Sequence, residues 1–187
     1  MADYKDIKGG TIQNFAGDPP APIEGQVWYD STAIAFQYRS VNPAGSWSTS
    51  GAMNNGRGSL GSAGTQTSAI AIAGGDPPSF DADSESYNGS TWTELANLNT
   101  ARYLGGGSGA SSTAALFFGG NGTSGVTEIV ESFNGTSWTE VGDLNNKKLM
   151  PAQSGGTQTA AISMGGQEGA SNLGETELFN GTSWTEA

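Results

Sequence analysis

The fold is decided by two stretches in the middle of the chain, STAALFFGG at residues 112–120 and ESFNGTSWTE at residues 131–140. The first is a compact apolar run that ends in two glycines, and a run of this length predicts one buried strand. The second contains Asn134-Gly135, which favours a hairpin because both residues tolerate positive φ. Together they predict a buried strand followed by a hairpin whose far strand begins near Trp138.

The same pattern is repeated along the chain with a period of 45 or 46 residues. Four of the five tryptophans are separated by 45, 46 and 46 residues, and the glycine pairs by 45 and 46. An aromatic, an acidic and a cationic column keep the same period. The repeated residues are Trp47, Trp92, Trp138 and Trp184; Gly74-Gly75, Gly119-Gly120 and Gly165-Gly166; Tyr87, Phe133 and Phe179; Glu85, Glu131 and Glu177; Arg57, Arg102 and Lys148. Such self-similarity indicates a tandem repeat architecture.

Each period predicts four short strands. In the unit 98–143 they are expected at 103–109, 113–118, 128–133 and 137–141. No segment has the periodicity of a long amphipathic helix, so the predicted fold class is all-β.

This unit, with Gly-Gly after its second strand and an aromatic residue followed by a tryptophan around a hairpin, resembles the kelch repeat of β-propellers. The resemblance covers residues 46–187 and implies tandem four-stranded blades. Small residues would lie on the crowded first strands, and aromatic rings would fill the space between blades. The blades are expected at 53–97, 98–143 and 144–187, with a repeat core of Trp47, Trp92, Trp138, Trp184, Tyr87, Phe133 and Phe179. Propellers close with about 4–8 blades, so we expect a longer array or several copies to complete the assembly.

Residues 1–45 do not share the repeat and predict a small attachment module. The prolines within 17–22 give a stiff, extended stretch because each one fixes φ. Residues 24–39 then predict a β-hairpin. A single hairpin is marginal in water, so we expect it to pack on another protein, on a second copy or on the repeats. The residues expected to make this attachment are Val27, Trp28, Tyr29, Phe36 and Tyr38.

The string PPAPIEGQVWYDSTAIAFQYR at residues 19–39 resembles a module of virion proteins of tailed bacteriophages, particularly tail-fibre proteins of marine phages. With kelch-like repeats behind it, the resemblance implies a structural virion protein, a tail-fibre or related appendage subunit that is anchored through its N-terminus and displays its repeats for host-surface attachment. The implied partners are other phage structural proteins of the tail, neck or capsid, a host receptor such as a glycan, and further copies of the chain. The alternative is a kelch-type protein- or carbohydrate-binding domain outside a virion.

Composition excludes several other classes. The 187 residues include 18 acidic and 7 basic side chains, a formal net charge of −11, and no cysteine or histidine. Disulfides, Cys or His metal sites, thiolate nucleophiles and Ser-His-Asp triads are therefore impossible. Nucleic acid is not an expected partner, because phosphate binding needs clustered Lys and Arg. No apolar run approaches ~18 residues, and the opening MADYKDIKGG lacks the apolar core of a signal peptide. We expect a virion protein made in the host cytoplasm, with no enzymatic activity, cofactor, metal or membrane insertion.

The two charged columns each have two interpretations. The cationic column could line a site for an anionic ligand, but pairing with carboxylates of a neighbouring strand or blade is preferred. The acidic column could supply the carboxylates of a glycosidase, but its recurrence once per unit favours a structural role. The four Asn-Gly-Ser/Thr sequons, at Asn88, Asn121, Asn134 and Asn180, are interpreted as turns rather than glycosylation sites.

The segments after the glycine pairs, 76–84, 121–127 and 167–174, differ between units and predict protruding loops. Loop contacts with a receptor or a neighbouring protein are expected from Asp81, Asp83, Asn121 and Glu168. A calcium site formed by Asp76, Asp81 and Asp83 is an alternative for the first loop, although the other two units lack these residues.

Overall fold

A computed structural model of the chain describes residues 12–20, 26–38, 48–76, 78–149 and 152–187. All regular secondary structure in these residues is β-strand, so the predicted all-β class is confirmed. Trp47 lies outside the described residues, as do Ala21 and Pro22 of the proline-rich stretch. The chain divides into two compact units, one up to Ser48 and one from Thr49.

The first unit contains one three-stranded sheet of β1 (Gln13–Phe15), β2 (Val27–Asp30) and β3 (Ala35–Tyr38). Strands β2 and β3 form the predicted antiparallel hairpin. Strand β1 pairs with β2 in parallel, and the sequence analysis missed it because this short polar segment has no hydrophobic alternation.

The second unit contains three four-stranded antiparallel sheets, each in chain order. The first repeat sheet consists of β4 (Gly61–Thr65), β5 (Ser68–Gly74), β6 (Asp81–Tyr87) and β7 (Trp92–Glu94). A small sheet follows, in which β8 (Arg102–Tyr103) pairs with β11 (Asn121–Gly122) and β11 with β12 (Gly125–Val126). The second repeat sheet consists of β9 (Gly106–Ser111), β10 (Ala114–Phe118), β13 (Val130–Phe133) and β14 (Trp138–Glu140). The third consists of β15 (Ala152–Thr157), β16 (Ala160–Glu168), β17 (Ser171–Phe179) and β18 (Trp184–Glu186). A four-stranded antiparallel sheet in each unit is confirmed, and the second unit adds the three short strands of the small sheet.

The core lies in two layers between the repeat sheets. One layer joins the first and second sheets and includes Ile72, Phe117 and Trp138; the other joins the second and third sheets and includes Phe118 and Trp184. Strand β10 is therefore buried on both faces, which explains why its sequence is a continuous apolar run rather than an alternating one. Complete burial of a phenylalanine stabilises the fold by about 1.5–3 kcal/mol.

The first strands of the three sheets, β4, β9 and β15, lie side by side. A Cβ atom on Gly107 in β9 would be 2.4 Å from the carbonyl oxygen of Ser62 in β4, and one on Gly61 would be 2.5 Å from the Phe117 ring. The predicted crowding of small residues on the first strands is confirmed. The three sheets form an open row, and no closed ring is present in the described part of the chain.

The sequence alignment of the first glycine pair is wrong by one residue: Gly74-Gly75 does not occupy the structural position of Gly119-Gly120. Arg57 Nε donates to the Ala73 carbonyl, and Arg102 Nε donates to the Gly119 carbonyl. Ala73 has φ 56°, Gly119 has φ 64° and Gly165 has φ 56°. The counterpart of Gly119-Gly120 is therefore Ala73-Gly74, not Gly74-Gly75. The structural period is 46 residues here too, with an alanine holding a left-handed position that glycine holds in the other two units.

Candidate functional site

The sheet of the first unit presents an exposed apolar face, which we call the N-terminal apolar face and define as Val27, Tyr29, Phe36 and Tyr38. Val27 pairs with Tyr38 and Tyr29 with Phe36, so the four side chains lie on one side of the hairpin. Tyr29 and Phe36 pack edge to face with ring centroids 5.4 Å apart. Tyr38 is 72% exposed, and Val27 and Phe36 are about half exposed. An apolar face that stays in water is typical of an interaction surface.

Trp28 does not belong to this face. It lies between Val27 and Tyr29 along β2, so it points to the opposite side of the sheet, where it is buried. Trp28 is therefore a core residue of the first unit, and its expected role in attachment stays a prediction. Sequence reasoning could not separate the two sides because both carry an aromatic residue.

Asp30 fixes the shape of the first unit. Its Oδ1 accepts hydrogen bonds from the backbone N–H groups of Gly17 at 3.1 Å, Thr32 at 2.8 Å and Ala33 at 3.0 Å. These bonds tie the chain after β1 to the turn between β2 and β3. The Ala33 N–H, followed by those of Thr32 and Gly17, outweighs the effect of burial and lowers the pKa of the Asp30 carboxyl. The Asp30 carboxylate and its three backbone hydrogen bonds thus stabilise the hairpin that carries the apolar face.

Each repeat sheet contains a buried polar node around one glutamate. In the second sheet, Glu131 of β13 is fully buried and lies 2.6 Å from Arg102 Nη1. Its Oε2 accepts from the backbone N of Asn99 at 2.7 Å and from Asn99 Nδ2 at 2.8 Å, and its Oε1 accepts from Thr100 N at 3.3 Å. The carboxylate therefore fastens the segment entering the sheet to its third strand.

The cation of the node is satisfied on its other side by backbone carbonyls. Arg102 donates to Gly119 O at 3.0 Å, to Phe117 O at 3.3 Å and to Thr100 O at 3.1 Å. Its guanidinium carbon lies 4.9 Å from the centroid of the Phe117 ring, a cation–π arrangement. Burial lowers the pKa of the Arg102 guanidinium, and the Glu131 carboxylate opposes that effect. Arginine remains protonated in proteins, so the node is an ion pair.

The node recurs in all three sheets, which confirms that the cationic and acidic columns pair with one another. Arg57 lies 2.8 Å from Glu85, and Lys148 lies 2.7 Å from Glu177. An asparagine completes every node by donating its backbone N–H and its Nδ2 to the glutamate and its Nδ2 also to the carbonyl of the sheet's tryptophan. These asparagines are Asn54, Asn99 and Asn145. The sequence analysis assigned them no role, although they too recur at the repeat period.

In the first and third sheets the node lowers the pKa of its glutamate. Burial alone would raise the pKa of the Glu85 carboxyl, but the Asn54 N–H and the Arg57 guanidinium outweigh burial and hold the pKa below its usual value. In the third sheet burial is likewise outweighed, by Lys148 and Asn145, and the pKa of the Glu177 carboxyl is lowered. A general acid needs a raised pKa, so the lowered values favour the structural interpretation of this column.

The aromatic column forms one ring pair in each sheet, with centroids 5.0–5.1 Å apart and an interplanar angle of 34° in all three. Trp138 also donates from Nε1 to the carbonyl of Ala96, in the segment that leaves the first sheet. The pairs lie at the fourth strands and are Tyr87 with Trp92, Phe133 with Trp138 and Phe179 with Trp184.

The predicted protruding loops are mostly strand. Asp81 and Asp83 lie in β6, and Asn121 lies in β11 and donates to the Tyr103 hydroxyl. All three are half-buried strand residues, so the prediction that they lie in protruding loops is wrong, while their contacts with a partner stay a prediction. In the first sheet the pairing between β5 and β6 resumes at Gly74 and Asp81 after a register shift. Glu168 lies at the end of β16 and is exposed.

The Asn-Gly sequons at Asn88, Asn134 and Asn180 form four-residue hairpin loops. In each loop the asparagine Oδ1 accepts from the two backbone N–H groups two and three residues on. Only the glycine has positive φ, between 93° and 96°. The turn interpretation is confirmed at these three positions, with the asparagine acting through its side chain rather than through positive φ.

Among the described residues there is no cluster of three or more acidic side chains that could hold a metal ion. No helix there is long and apolar enough to span a bilayer. No protein-family model matches the chain, and comparison with curated proteins finds no relative.

Proposed function

We propose that this chain is a structural subunit of a tailed bacteriophage, part of a tail fibre or related appendage, which attaches to the particle through its first unit and displays the repeat sheets toward the host surface. The observation that carries the proposal is the N-terminal apolar face. It combines an exposed apolar surface with a separate small sheet, which is the arrangement an attachment module requires.

The repeat unit suits the complementary task of a rigid display element. Each sheet fixes its own polar node and packs its apolar side chains against the next sheet, so stiffness needs no disulfide or metal. Structural rather than catalytic work is also favoured by the nodes, whose carboxylates are enclosed by donors from their own sheet and entering segment.

The test compares two variants that each introduce one charge on an exposed residue. Tyr38→Glu alters the N-terminal apolar face, and the control Thr136→Glu alters a hairpin loop of the second repeat sheet and should be incorporated like the unaltered chain. We expect Tyr38→Glu to reduce incorporation into purified virions at least tenfold, measured by immunoblot, with unchanged far-ultraviolet circular dichroism. Equal incorporation of Tyr38→Glu and the unaltered chain would contradict attachment through this face.

The alternative, a kelch-type binding domain outside a virion, predicts a different result. In that case the chain would be absent from purified virions, so neither substitution would change the amount detected there.

A further inference from the structure

The third repeat sheet has a partly exposed apolar face, which we call the trailing face and define as Ile162, Met164 and Leu178; Leu178 is 46% exposed, and Ile162 and Met164 are half-buried. Ile162 pairs with Leu178, so both side chains lie on the same side of the sheet. Their counterparts in the second sheet, 46 residues earlier, include Leu116 and Phe118, which are fully buried against the third sheet. The trailing face therefore repeats a surface that is covered by a sheet elsewhere in the chain.

The first repeat sheet has an apolar face on its other side, away from the second sheet, which we call the leading face and define as Ala69, Tyr87 and Trp92. In the second and third sheets the equivalent side packs against the preceding sheet. Ala69 pairs with Tyr87, and Tyr87 pairs with Trp92. Tyr87 and Trp92 are half-buried. Their counterparts are fully covered: Phe133 and Trp138 by the first sheet, and Phe179 and Trp184 by the second.

A third observation points the same way. The residue before the node asparagine is buried between two sheets in two units, as Leu98 and Leu144. Its counterpart before the first sheet is Met53, which is only half-buried. Met53 and the leading face are thus both less buried than their counterparts, which a preceding repeat sheet covers.

Side-chain size at one repeat position also fits the two faces to each other. On β5, β10 and β16 the side facing the next sheet carries Ile72, Phe118 and then Met164. Ile72 packs in one buried cluster with Ala115 of the second sheet, and Phe118 packs in the other with Ala161 of the third sheet. The leading face has the half-buried Ala69 at the position of Ala115 and Ala161, so Met164 would pack beside a small residue, as Ile72 and Phe118 do.

We infer that the trailing face of one copy of this chain docks on the leading face of a second copy, and the reverse, so that two copies close one ring of repeat sheets. The interface continues the two sheet junctions inside the chain. Rings of this kind close with about 4–8 sheets, and six is the one multiple of three in that range. The junction joins two different surfaces, so it closes a ring or extends into a filament. This inference does not depend on the proposed virion role.

The first experiment is sedimentation equilibrium on the full-length chain. We expect a mass of twice 19.0 kDa. Leu178→Glu on the trailing face and Ala69→Lys on the leading face should each give the single-chain mass, because either one damages both junctions of the ring. The control Thr136→Glu adds the same charge to an exposed residue in the hairpin loop of the second, middle sheet and should keep the double mass.

Mixing the two single-chain variants tests the head-to-tail arrangement. A pair made of one Leu178→Glu chain and one Ala69→Lys chain has one junction with no substitution and one in which the new charges are opposite. The double mass should therefore return in the mixture. Circular dichroism checks that each variant is folded.

Four results would overturn the inference: a single-chain mass for the unaltered protein at millimolar concentration, masses that the two variants do not change, a ladder of larger species, or loss of the double mass in Thr136→Glu. Since the virion test reads Tyr38→Glu in particles and this test reads Leu178→Glu in solution, failure of one proposal is distinguishable from failure of the other.

Discussion

Replacing Glu131 by glutamine tests whether the buried nodes hold the repeat sheets together. The substitution keeps the shape of the side chain but removes its charge. Glu131 receives four contacts, from Arg102 at 2.6 Å, from two nitrogens of Asn99 and from the backbone N–H of Thr100. A neutral amide offers one acceptor oxygen, and its NH₂ group must then face a donor, so at least one donor loses its partner.

The magnitude follows from the enclosure of the pair. Arg102 and Glu131 are both fully buried, and leaving one buried charge without its partner costs about 3–5 kcal/mol. We expect about 3 kcal/mol for Glu131→Gln, the lower end, because the amide oxygen keeps part of the hydrogen bonding. For a chain of this size each kcal/mol lowers the melting temperature by about 2–4 °C, so the expected shift is about 6–12 °C.

The assay is urea and thermal unfolding followed by tryptophan fluorescence. The matched control is Glu128→Gln, which removes the same charge three residues earlier from a largely exposed pair with Lys147 at 3.9 Å. Exposed pairs contribute about 0–1 kcal/mol, so the control should unfold almost like the unaltered chain. If Glu131→Gln and Glu128→Gln unfold within 1 kcal/mol of each other, the nodes do not stabilise the fold as argued.

The remaining predictions concern the other nodes and the left-handed positions. The folded-state pKa values of Glu85 and Glu177 lie below the unfolded value of 4.5. The stability that these carboxylates contribute is therefore complete above about pH 4.5 and is lost as the pH falls through the folded-state pKa values. Urea midpoints measured between pH 7 and pH 3 should fall accordingly, and a flat profile would contradict the prediction. Lys148→Arg should preserve the free energy of unfolding or raise it by up to about 1.5 kcal/mol, because arginine can donate to backbone carbonyls as Arg57 and Arg102 do. Lys148→Met leaves Glu177 without its cation and should lower the free energy of unfolding by about 3–5 kcal/mol. Equal urea midpoints for the two variants would refute this. Gly119→Ala should destabilise the chain by at least about 1–2 kcal/mol, since Gly119 has φ 64° and the added Cβ would lie 2.6 Å from the Lys148 carbonyl oxygen. The control is Ala73→Gly at the equivalent position. Calorimetry should show a much smaller change for the control than for Gly119→Ala.

Much of the fold was predictable because the repeat marks positions that packing makes equivalent. The strands near Thr113 and Trp138 and the pairing of the charged columns follow from residue type and period. The register of the glycine pair was not predictable, because Ala73 adopts a backbone conformation that its side chain disfavours, and alignment naturally matched glycine with glycine. The two-residue strands of the small sheet leave no periodic signal at all.

The candidate site was predictable in part. The hairpin and its apolar residues follow from alternation, but the side of β2 that is buried does not, since Trp28 and Tyr29 are both aromatic. The assumption that variable segments are exposed loops failed at Asp81 and Asn121. Variation in sequence there reflects strands at a sheet end, where pairing constrains the backbone and leaves the side chains free to differ.

The enclosure of each node within a single period has an evolutionary consequence. The asparagine, the cation and the glutamate that meet in one sheet lie between Asn99 and Trp138 in the second unit, and their counterparts are equally close in the other two. Duplication or deletion of the gene segment that encodes one 46-residue repeat would therefore keep the cation and the glutamate of each node together. Recombination between units can therefore change the number of sheets without leaving an unpaired charge in the interior.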